Sequence, residues 1–255
     1  MLLAIDIGNT NIVSAVFKGD EIKGRWRIST DLGCTSDEYN ILFKSLFTSD
    51  GIKFSDVGGV IISSVVPKHN FELKYFCKKY FSCEAFIVGE GRGDIGIKIE
   101  ADDPSEVGAD RLVNAIAAYN KYGKAAVIVD FGTATTFDVI DNKGTYLGGA
   151  IAPGINLSLN ALHLAAAKLP EIEIKKPKGV IGKSTKSAMQ SGVYFGYKGL
   201  IRGIIENIKK EMNIEMIVVA TGGLSSLFSN VDPLIDYVEP DLTINGLNQI
   251  YKIIN

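Results

Sequence analysis

An internal repeat divides the chain near its middle and constrains the fold more than any other feature. Within 255 residues, a six-residue block recurs in altered form at an offset of 124 residues: Asp6-Ile7-Gly8-Asn9-Thr10-Asn11 and Asp130-Phe131-Gly132-Thr133-Ala134-Thr135. Each block follows a short apolar strand pattern and precedes two more strand patterns separated by turn signals. Both halves are therefore predicted to begin with an antiparallel three-stranded meander, as a duplicated unit would.

The remaining pattern alternates strands with helices, which indicates an α/β fold. The predicted strands are Leu2–Ile5, Ile12–Phe17, Glu21–Ile28, Val57–Val66, Ala85–Val88, Ala125–Val129, Thr136–Ile140, Thr145–Ile151 and Met216–Ala220. The predicted helices are Ser36–Asp50 with Ser36 as its cap, Pro67–Phe81, Asp103 to Tyr122, Asn156–Lys168, Thr185–Met212 and Leu242–Ile254. The duplication places a domain boundary near residue 115, which gives domains 1–115 and 116–255.

Composition excludes several classes of protein. The chain has 27 basic and 29 acidic residues, a net charge of −2, which does not favour nucleic acid or an anionic membrane as a partner. Three cysteines, Cys34, Cys77 and Cys83, lack the spacing of a zinc site and predict a reducing compartment. The first residues, MLLAID, have no basic region and reach Asp6 early, so we expect no signal peptide and a cytoplasmic protein.

The two repeated blocks have a chemistry suited to phosphate. Glycine allows close approach of the backbone to a ligand, and successive N–H groups with Asn and Thr side chains can bind phosphate oxygens. The carboxylate of Asp6 can hold a hydrated Mg²⁺ that bridges phosphates. One such turn is equally compatible with an ordinary hairpin turn. Two copies, at Asp6 and at Asp130, predict the two walls of a nucleotide phosphate site.

A third glycine turn follows a strand and is suited to a ribose or a flat ring. It consists of Thr221-Gly222-Gly223, although an ordinary glycine-rich strand-to-helix turn has the same appearance. The chain contains no G-x-x-x-x-G-K-[ST] phosphate loop and no G-x-G-x-x-G turn between a strand and a helix, so a dinucleotide-binding fold is disfavoured.

Five further blocks, taken with these turns, give the chain a close resemblance to type III pantothenate kinases. The blocks are Gly108-Ala109-Asp110-Arg111, Val129 to Thr136, Gly148-Gly149-Ala150-Ile151-Ala152-Pro153-Gly154, Ala188-Met189-Gln190-Ser191-Gly192 and Leu242-Thr243-Ile244-Asn245-Gly246-Leu247. The resemblance covers nearly the whole chain. It implies an actin-like (ribonuclease H-like) fold with two duplicated domains, each a mixed five-stranded sheet flanked by helices.

The resemblance also implies an activity and site residues. ATP, with Mg²⁺, would phosphorylate pantothenate to 4′-phosphopantothenate, the first step of coenzyme A biosynthesis, with Asp110 as general base. The residues similar to those that bind ATP are Asp6, Ile7, Gly8, Asn9, Thr10, Asn11, Ile12, Val13 and Thr133, whereas Gly108, Ala109, Asp110, Arg111 and Thr185 are similar to those that bind pantothenate. Asp130 resembles the ligand of a monovalent cation, K⁺ or NH₄⁺. Thr185 resembles a threonine that completes the partner subunit's site, which implies a homodimer.

The residues themselves support the roles of Asp110 and Arg111. A carboxylate can accept the proton of an attacking alcohol, and an arginine can pair with a substrate carboxylate in a bidentate fork. Without the resemblance, the two residues are equally compatible with a surface ion pair on a helix. Gly108 lies inside the predicted helix at a cost of about 1 kcal/mol relative to Ala, so we expect the backbone there to need room.

Three departures from the family pattern leave other functions open. Ala101 stands where the family usually has Tyr, Asp94-Ile95-Gly96 replaces a common Lys-Thr-Gly, and Ala165 replaces an Arg shortly before the stretch from Ala167 to Pro170. All three concern the substrate end of the site, so one alternative is a kinase of the same fold that acts on another small hydroxy acid. A second alternative is a non-catalytic regulator like the Bvg accessory factors, although the chain has no basic stripe or helix-turn-helix pattern.

Overall fold

The computed structural model describes residues 1–90, 95–165, 169–229 and 234–255. The chain divides into two compact units. The first comprises Met1–Ala117 and Leu242–Asn255, and the second comprises Ala118–Asp241. Each unit is built on its own five-stranded sheet.

Ten strands and seven helices are found in the described residues. The strands are β1 (Leu2–Ile7), β2 (Asn11–Lys18), β3 (Glu21–Ser29), β4 (Gly59–Ser64), β5 (Ala85–Ile87), β6 (Ala126–Phe131), β7 (Ala134–Ile140), β8 (Tyr146–Pro153), β9 (Ile217–Gly222) and β10 (Tyr237–Val238). The helices are α1 (Ser36–Ser49), α2 (Pro67–Phe76), α3 (Ala109–Tyr122), α4 (Ile155–Ala165), α5 (Thr185–Met212), α6 (Ser225–Ser229) and α7 (Leu242–Ile254). None of these helices has the length and apolarity needed to cross a membrane.

The two sheets have the same topology, which confirms the predicted duplication. The first has the order β3-β2-β1-β4-β5 and the second, read from its opposite edge, β8-β7-β6-β9-β10. In each, an antiparallel meander of three strands continues through parallel strands that return after helices. The irregularities in strand pairing also coincide. A register shift interrupts the pairing of β2 with β3 at Val16/Phe17 and the pairing of β7 with β8 at Val139/Ile140. Strand pairs therefore place Asp6 and Asp130 at equivalent positions, one residue before the end of β1 and of β6.

One face of each sheet is covered by an apolar core. In the first unit, aromatic side chains of α1, α2 and the π turn at Cys77–Phe81 pack together, with Phe43 stacked on Phe76 at a centroid distance of 5.4 Å. In the second unit, Tyr194 and Tyr197 of α5 are buried against Phe228 and the sheet. These cores fix the strands whose ends carry the repeated turns.

Two predicted helix starts differ from the structure. α1 is capped by Thr35 rather than Ser36, because the Thr35 side chain accepts from the Glu38 N–H and the Glu38 carboxylate accepts from the Thr35 N–H. The helix predicted from Asp103 begins later, at Ala109. Asp103 instead caps a single 3-10 turn at Pro104–Glu106. Gly108 therefore lies just before α3, not inside it.

The C-terminal helix also differs in its placement. The boundary predicted near residue 115 puts α7 in the second domain, but α7 belongs to the first unit. A Cβ on Gly246 would lie 2.5 Å from the Val113 carbonyl oxygen of α3, so only glycine allows the two helices to approach this closely. Asn248 Nδ2 donates to the Gly19 carbonyl at 3.1 Å, and Lys252 pairs with Asp20 in the same turn. The apolar face of α7 thus completes the first unit.

Parts of three sequence predictions concern residues outside the described ranges. These are the end of the fourth predicted helix at Lys168, the Ala167 to Lys168 part of the stretch that ends at Pro170, and Asp94 of the Asp94-Ile95-Gly96 departure. α4 is described to Ala165.

Candidate active site

The first repeated block forms the turn between β1 and β2. The buried side chains of Ile7 and Ile12, both at most 1% exposed, anchor the two strand ends. The Gly8 N–H donates to the Asn11 carbonyl at 3.0 Å and closes the turn, which we call the first turn (Gly8–Asn11). Asn9 and Thr10 at its tip are exposed. The tip is therefore accessible to a ligand, while its base is held by the buried strand ends.

The second repeated block forms the equivalent turn between β6 and β7. The Gly132 N–H donates to the Ala134 carbonyl at 3.0 Å, and the Gly154 N–H donates to the Thr133 carbonyl at 3.0 Å. A Cβ on Gly154 would overlap the Thr133 carbonyl oxygen, so glycine is required where the end of β8 meets the turn. Thr133 itself is exposed, as its expected contact with a phosphate requires.

Asp130 of β6 lies beside oxygen-bearing side chains of the two neighbouring strands. It pairs with Thr136 of β7 and with Thr221 of β9, and residues in register on neighbouring strands point to the same face of a sheet. A Cβ on Gly222, which has φ +87°, would overlap Asp130 Oδ1. The third predicted glycine turn therefore lies directly against the Asp130 carboxylate. At the equivalent positions beside Asp6, the first unit has Val13 and Ser63.

Asp110 lies in the first turn of α3, and its local geometry explains the glycine before the helix. The Arg111 N–H donates to Asp110 Oδ1 at 2.9 Å, which turns the carboxylate back toward the start of the helix. A Cβ on Gly108 would lie 2.7 Å from the same oxygen. Gly108 thus leaves room for the Asp110 carboxylate, whereas the sequence had indicated only that the backbone needs room.

The environment of Asp110 favours a proton acceptor. Burial raises the pKa of the Asp110 carboxyl, while the Arg111 N–H and the positive charge of Arg111 act in the opposite direction. A carboxylate with a raised pKa holds a proton more readily and is a better general base near neutral pH. Ala109 is buried and Arg111 is half-buried.

Thr185 lies in the second unit at the start of α5. Ser184 caps that helix through a reciprocal pair with Ser187, so the position of Thr185 is fixed. Thr185 is exposed and lines a cavity of about 720 Å³ together with apolar side chains of α4 and α5, among them Leu162 and Met189. α4 also exposes Leu157 and Leu164, at 50% and 83%. This surface has the apolar character that a subunit interface requires.

Ser63 and Thr221 occupy equivalent positions in the two units, a relation that no sequence pattern indicates. Ser63 is fully buried beside Asp6, and Thr221 is 1% exposed beside Asp130. The constant repeat offset did not reveal their equivalence, because the segments between β2 and β4 and between β7 and β9 differ in length. Among the described residues, no group of three or more His, Cys, Asp or Glu side chains can hold a metal ion.

Comparisons with known proteins identify the family of the chain. The family model for type III pantothenate kinase matches residues 2–207. The type III pantothenate kinase of Paramagnetospirillum magneticum is 52% identical over 252 residues, which cover 99% of this chain and 97% of that protein.

Solved structures support the fold. A putative 2-dehydro-3-deoxygalactonokinase from Sinorhizobium meliloti superimposes with a TM-score of 0.64 at 10% identity, covering 100% of this chain and 97% of that one. A putative Baf family transcriptional activator from Campylobacter jejuni gives 0.61 at 20% identity, covering 98% of each chain. The sheets are those of a duplicated actin-like fold, and the chain belongs to the type III pantothenate kinase family.

Proposed function

We propose that this protein transfers the γ-phosphoryl group of ATP to the primary hydroxyl of pantothenate, which yields ADP and 4′-phosphopantothenate for coenzyme A biosynthesis. Family membership over the whole chain supports the substrate and the reaction. The observation that carries the mechanism is the Asp110 carboxylate, which Gly108 and the Arg111 N–H hold in one orientation at the start of α3.

In this mechanism, Asp110 accepts the hydroxyl proton of pantothenate as its oxygen attacks the γ-phosphorus. The new oxygen–phosphorus bond forms as the bond to the β-phosphate oxygen breaks, and ADP leaves. Arg111 pairs with the carboxylate of pantothenate and thereby orients the hydroxyl at the other end of the molecule. Gly108 and Ala109 form the backbone wall of the same subsite.

The residues Asp6 to Val13 and Thr133 bind the ATP phosphates in this proposal. The exposed residues at the tips of the two turns, Asn9 and Thr10 in the first and Thr133 in the second, support this role. Mg²⁺ would be held mainly by the phosphates and water, as this ion prefers, and Asp6 would supply a carboxylate for it. The position of Asp6, one residue before the end of β1 and beside the first turn, fits this role.

A monovalent cation, K⁺ or NH₄⁺, fits the surroundings of Asp130. At Gly222 the missing Cβ leaves space directly beside the Asp130 carboxylate, and Gly132 places no side chain near it either. Thr136 and Thr221 add hydroxyl oxygens on the same face of the sheet. Carboxylate and hydroxyl oxygens are ligands for hard cations. Such a cation would offset the repulsion between Asp130 and the phosphates.

The direct test is an assay of the purified protein with pantothenate, ATP, Mg²⁺ and K⁺. We expect stoichiometric ADP and 4′-phosphopantothenate, with much lower rates for other small hydroxy acids. A higher kcat/KM for another hydroxy acid would favour the alternative raised by Ala101. Absence of any ATP-dependent phosphorylation would contradict the proposal and favour a non-catalytic role.

In this proposal the protein is a cytoplasmic homodimer, and Thr185 of each subunit contacts the pantothenate that is bound in the other subunit's site. The exposed apolar side chains of α4 beside Thr185 support a subunit interface here, and the three cysteines, free in the structure, support a reducing compartment. Small residues of α5, such as Ala188 and Gly192, allow close helix packing. A net charge of −2 supports a small-molecule substrate rather than nucleic acid.

Replacement of Thr185 by alanine is expected to raise KM for pantothenate about tenfold, because one hydrogen bond to a charged or polar substrate group is lost. KM for ATP should stay within twofold. Steady-state kinetics with each substrate varied in turn measure both, and Lys186→Ala, an exposed neighbour, serves as the control. An effect confined to ATP, or a fully active monomer in sedimentation, would assign this helix to another role.

A further inference from the structure

Thr30 contacts the first turn twice, although it lies outside every motif that the sequence suggested. It follows directly after β3. Its hydroxyl Oγ1 donates to the Gly8 carbonyl at 2.7 Å, and its backbone N–H donates to the Thr10 carbonyl at 3.0 Å. One residue therefore holds two of the carbonyl groups of a four-residue turn.

These two bonds fix the direction of two other backbone groups. In a planar trans peptide, the C=O of one residue and the N–H of the next point in opposite directions. Because Thr30 holds the Gly8 and Thr10 carbonyls, the N–H groups of Asn9 and Asn11 point away from Thr30. Asn9 is exposed at the tip of the turn and Asn11 is half-buried at its edge. Without the hydroxyl bond, the Gly8 carbonyl loses a contact that fixes the orientation of the peptide between Gly8 and Asn9.

The duplicated unit offers an internal comparison. Gly154 follows β8 just as Thr30 follows β3, and its N–H holds the Thr133 carbonyl of the second turn at 3.0 Å. Both turns are therefore held by a hydrogen bond from the backbone N–H of the residue that follows the third strand of the meander. Only the first turn has the additional hydrogen bond from a side chain. The residue equivalent to Thr30 in the second unit is Gly154, and a Cβ there would overlap the Thr133 carbonyl oxygen.

We infer that Thr30 is a positioning residue for nucleotide binding: its hydroxyl holds the first turn so that the Asn9 and Asn11 N–H groups are directed at the phosphates of ATP. The inference rests on the proposed ATP site at Asp6 to Val13. Thr30 touches neither reactant. Its contribution is preorganisation, because a turn that already has its bound conformation loses less entropy when the anion binds.

The test compares three variants of the full-length protein. Thr30→Val keeps the shape and the backbone N–H but removes the hydroxyl, and Thr30→Ser keeps a hydroxyl. Thr48→Val is the matched control, because Thr48 Oγ1 also donates to a backbone carbonyl, that of Lys44 at 2.6 Å, on the exposed side of α1.

We expect Thr30→Val to raise KM for ATP and the Kd for MgATP about fivefold to tenfold, with KM for pantothenate unchanged. Thr30→Ser should recover most of the loss, and Thr48→Val should match the wild type. In protein labelled with ¹⁵N-asparagine, the amide signals of Asn9 and Asn11 should shift on addition of MgATP in the wild type and in Thr30→Ser, and much less in Thr30→Val.

Two results would overturn the inference. One is MgATP binding by Thr30→Val that equals that of the wild type. The other is an equal loss toward both substrates together with a lowered melting temperature, which indicates a purely structural role. Calorimetry and the amide spectra need no pantothenate, so wild-type protein that binds MgATP without phosphorylating pantothenate would contradict the proposed function while leaving the Thr30 test intact.

Discussion

Replacement of Asp110 by asparagine is expected to lower kcat by about 10²- to 10⁴-fold, the usual contribution of a positioned general base. Asparagine has nearly the same shape, and its amide oxygen can still accept from the Arg111 N–H as Asp110 Oδ1 does at 2.9 Å. The substitution therefore removes the ability to take a proton while it preserves the local geometry. Initial rates with saturating ATP and pantothenate measure the loss, and KM for ATP should change little.

The pH dependence of catalysis gives a second readout of the same residue. Burial raises the pKa of Asp110, so the acid limb of the kcat/KM profile should lie above the ordinary aspartate value of 3.8. Only the ionised carboxylate can accept the proton, so activity should rise as the pH rises through this limb. The residual activity of Asp110→Asn should lack the limb.

Stability should change in the direction opposite to activity. A carboxyl whose pKa is higher in the folded than in the unfolded state binds more protons when folded, so its contribution to stability falls as the pH rises between the two values. At neutral pH the ionised Asp110 therefore lowers the free energy of unfolding. Asp110→Asn should be at least as stable as the wild type in thermal unfolding at pH 7.

Asp102→Asn is the matched control, since it makes the same chemical change at an exposed residue of the same unit and should leave kcat unchanged. A wild-type rate in Asp110→Asn would remove Asp110 from the mechanism. A large loss of both stability and activity would instead identify Asp110 as a structural residue.

The sequence was sufficient to predict the features that repeat or depend on local signals. The offset between Asp6 and Asp130 predicted two equivalent meanders, and their common topology and register shifts confirm it. α5 and α7 begin and end at the predicted residues. The unit to which α7 belongs depends on long-range packing, in which Gly246 fits against Val113, and no local pattern in the sequence reports that contact.

The residues of the candidate site could be predicted only where they lie close together in the sequence, within one short motif. Gly108 and Asp110 are two residues apart, so the motif was visible, but the reason for the glycine was not, because it depends on the orientation of the Asp110 carboxylate. Thr30 contacts Gly8 across 22 residues of sequence. A lone threonine after a strand carries no signal of its own, and only the pairing of β2 with β3 brings it to the first turn.

Replacement of Asp130 by asparagine is expected to weaken activation by a monovalent cation. A carboxylate beside nucleotide phosphates repels them unless a cation lies between, and the oxygens of Thr136 and Thr221 share the face of Asp130. The neutral amide keeps an oxygen ligand but loses the charge. Loss of one charge-assisted contact, about 1.5–3 kcal/mol, corresponds to a rise of about 10- to 150-fold in the K⁺ concentration for half-maximal rate.

Initial rates measured over a series of K⁺ concentrations, with Na⁺ added to hold ionic strength constant, test this expectation. The wild type should be activated by K⁺ and NH₄⁺ and much less by Na⁺. Glu211→Gln, which removes one negative charge from the exposed end of α5, is the control for a change in overall charge and should retain the wild-type response. Equal rates of the wild type in Na⁺ and K⁺ would rule out a selective cation site. If the wild type is activated by K⁺ and Asp130→Asn shows the same K⁺ response, the cation binds through oxygens other than those of Asp130.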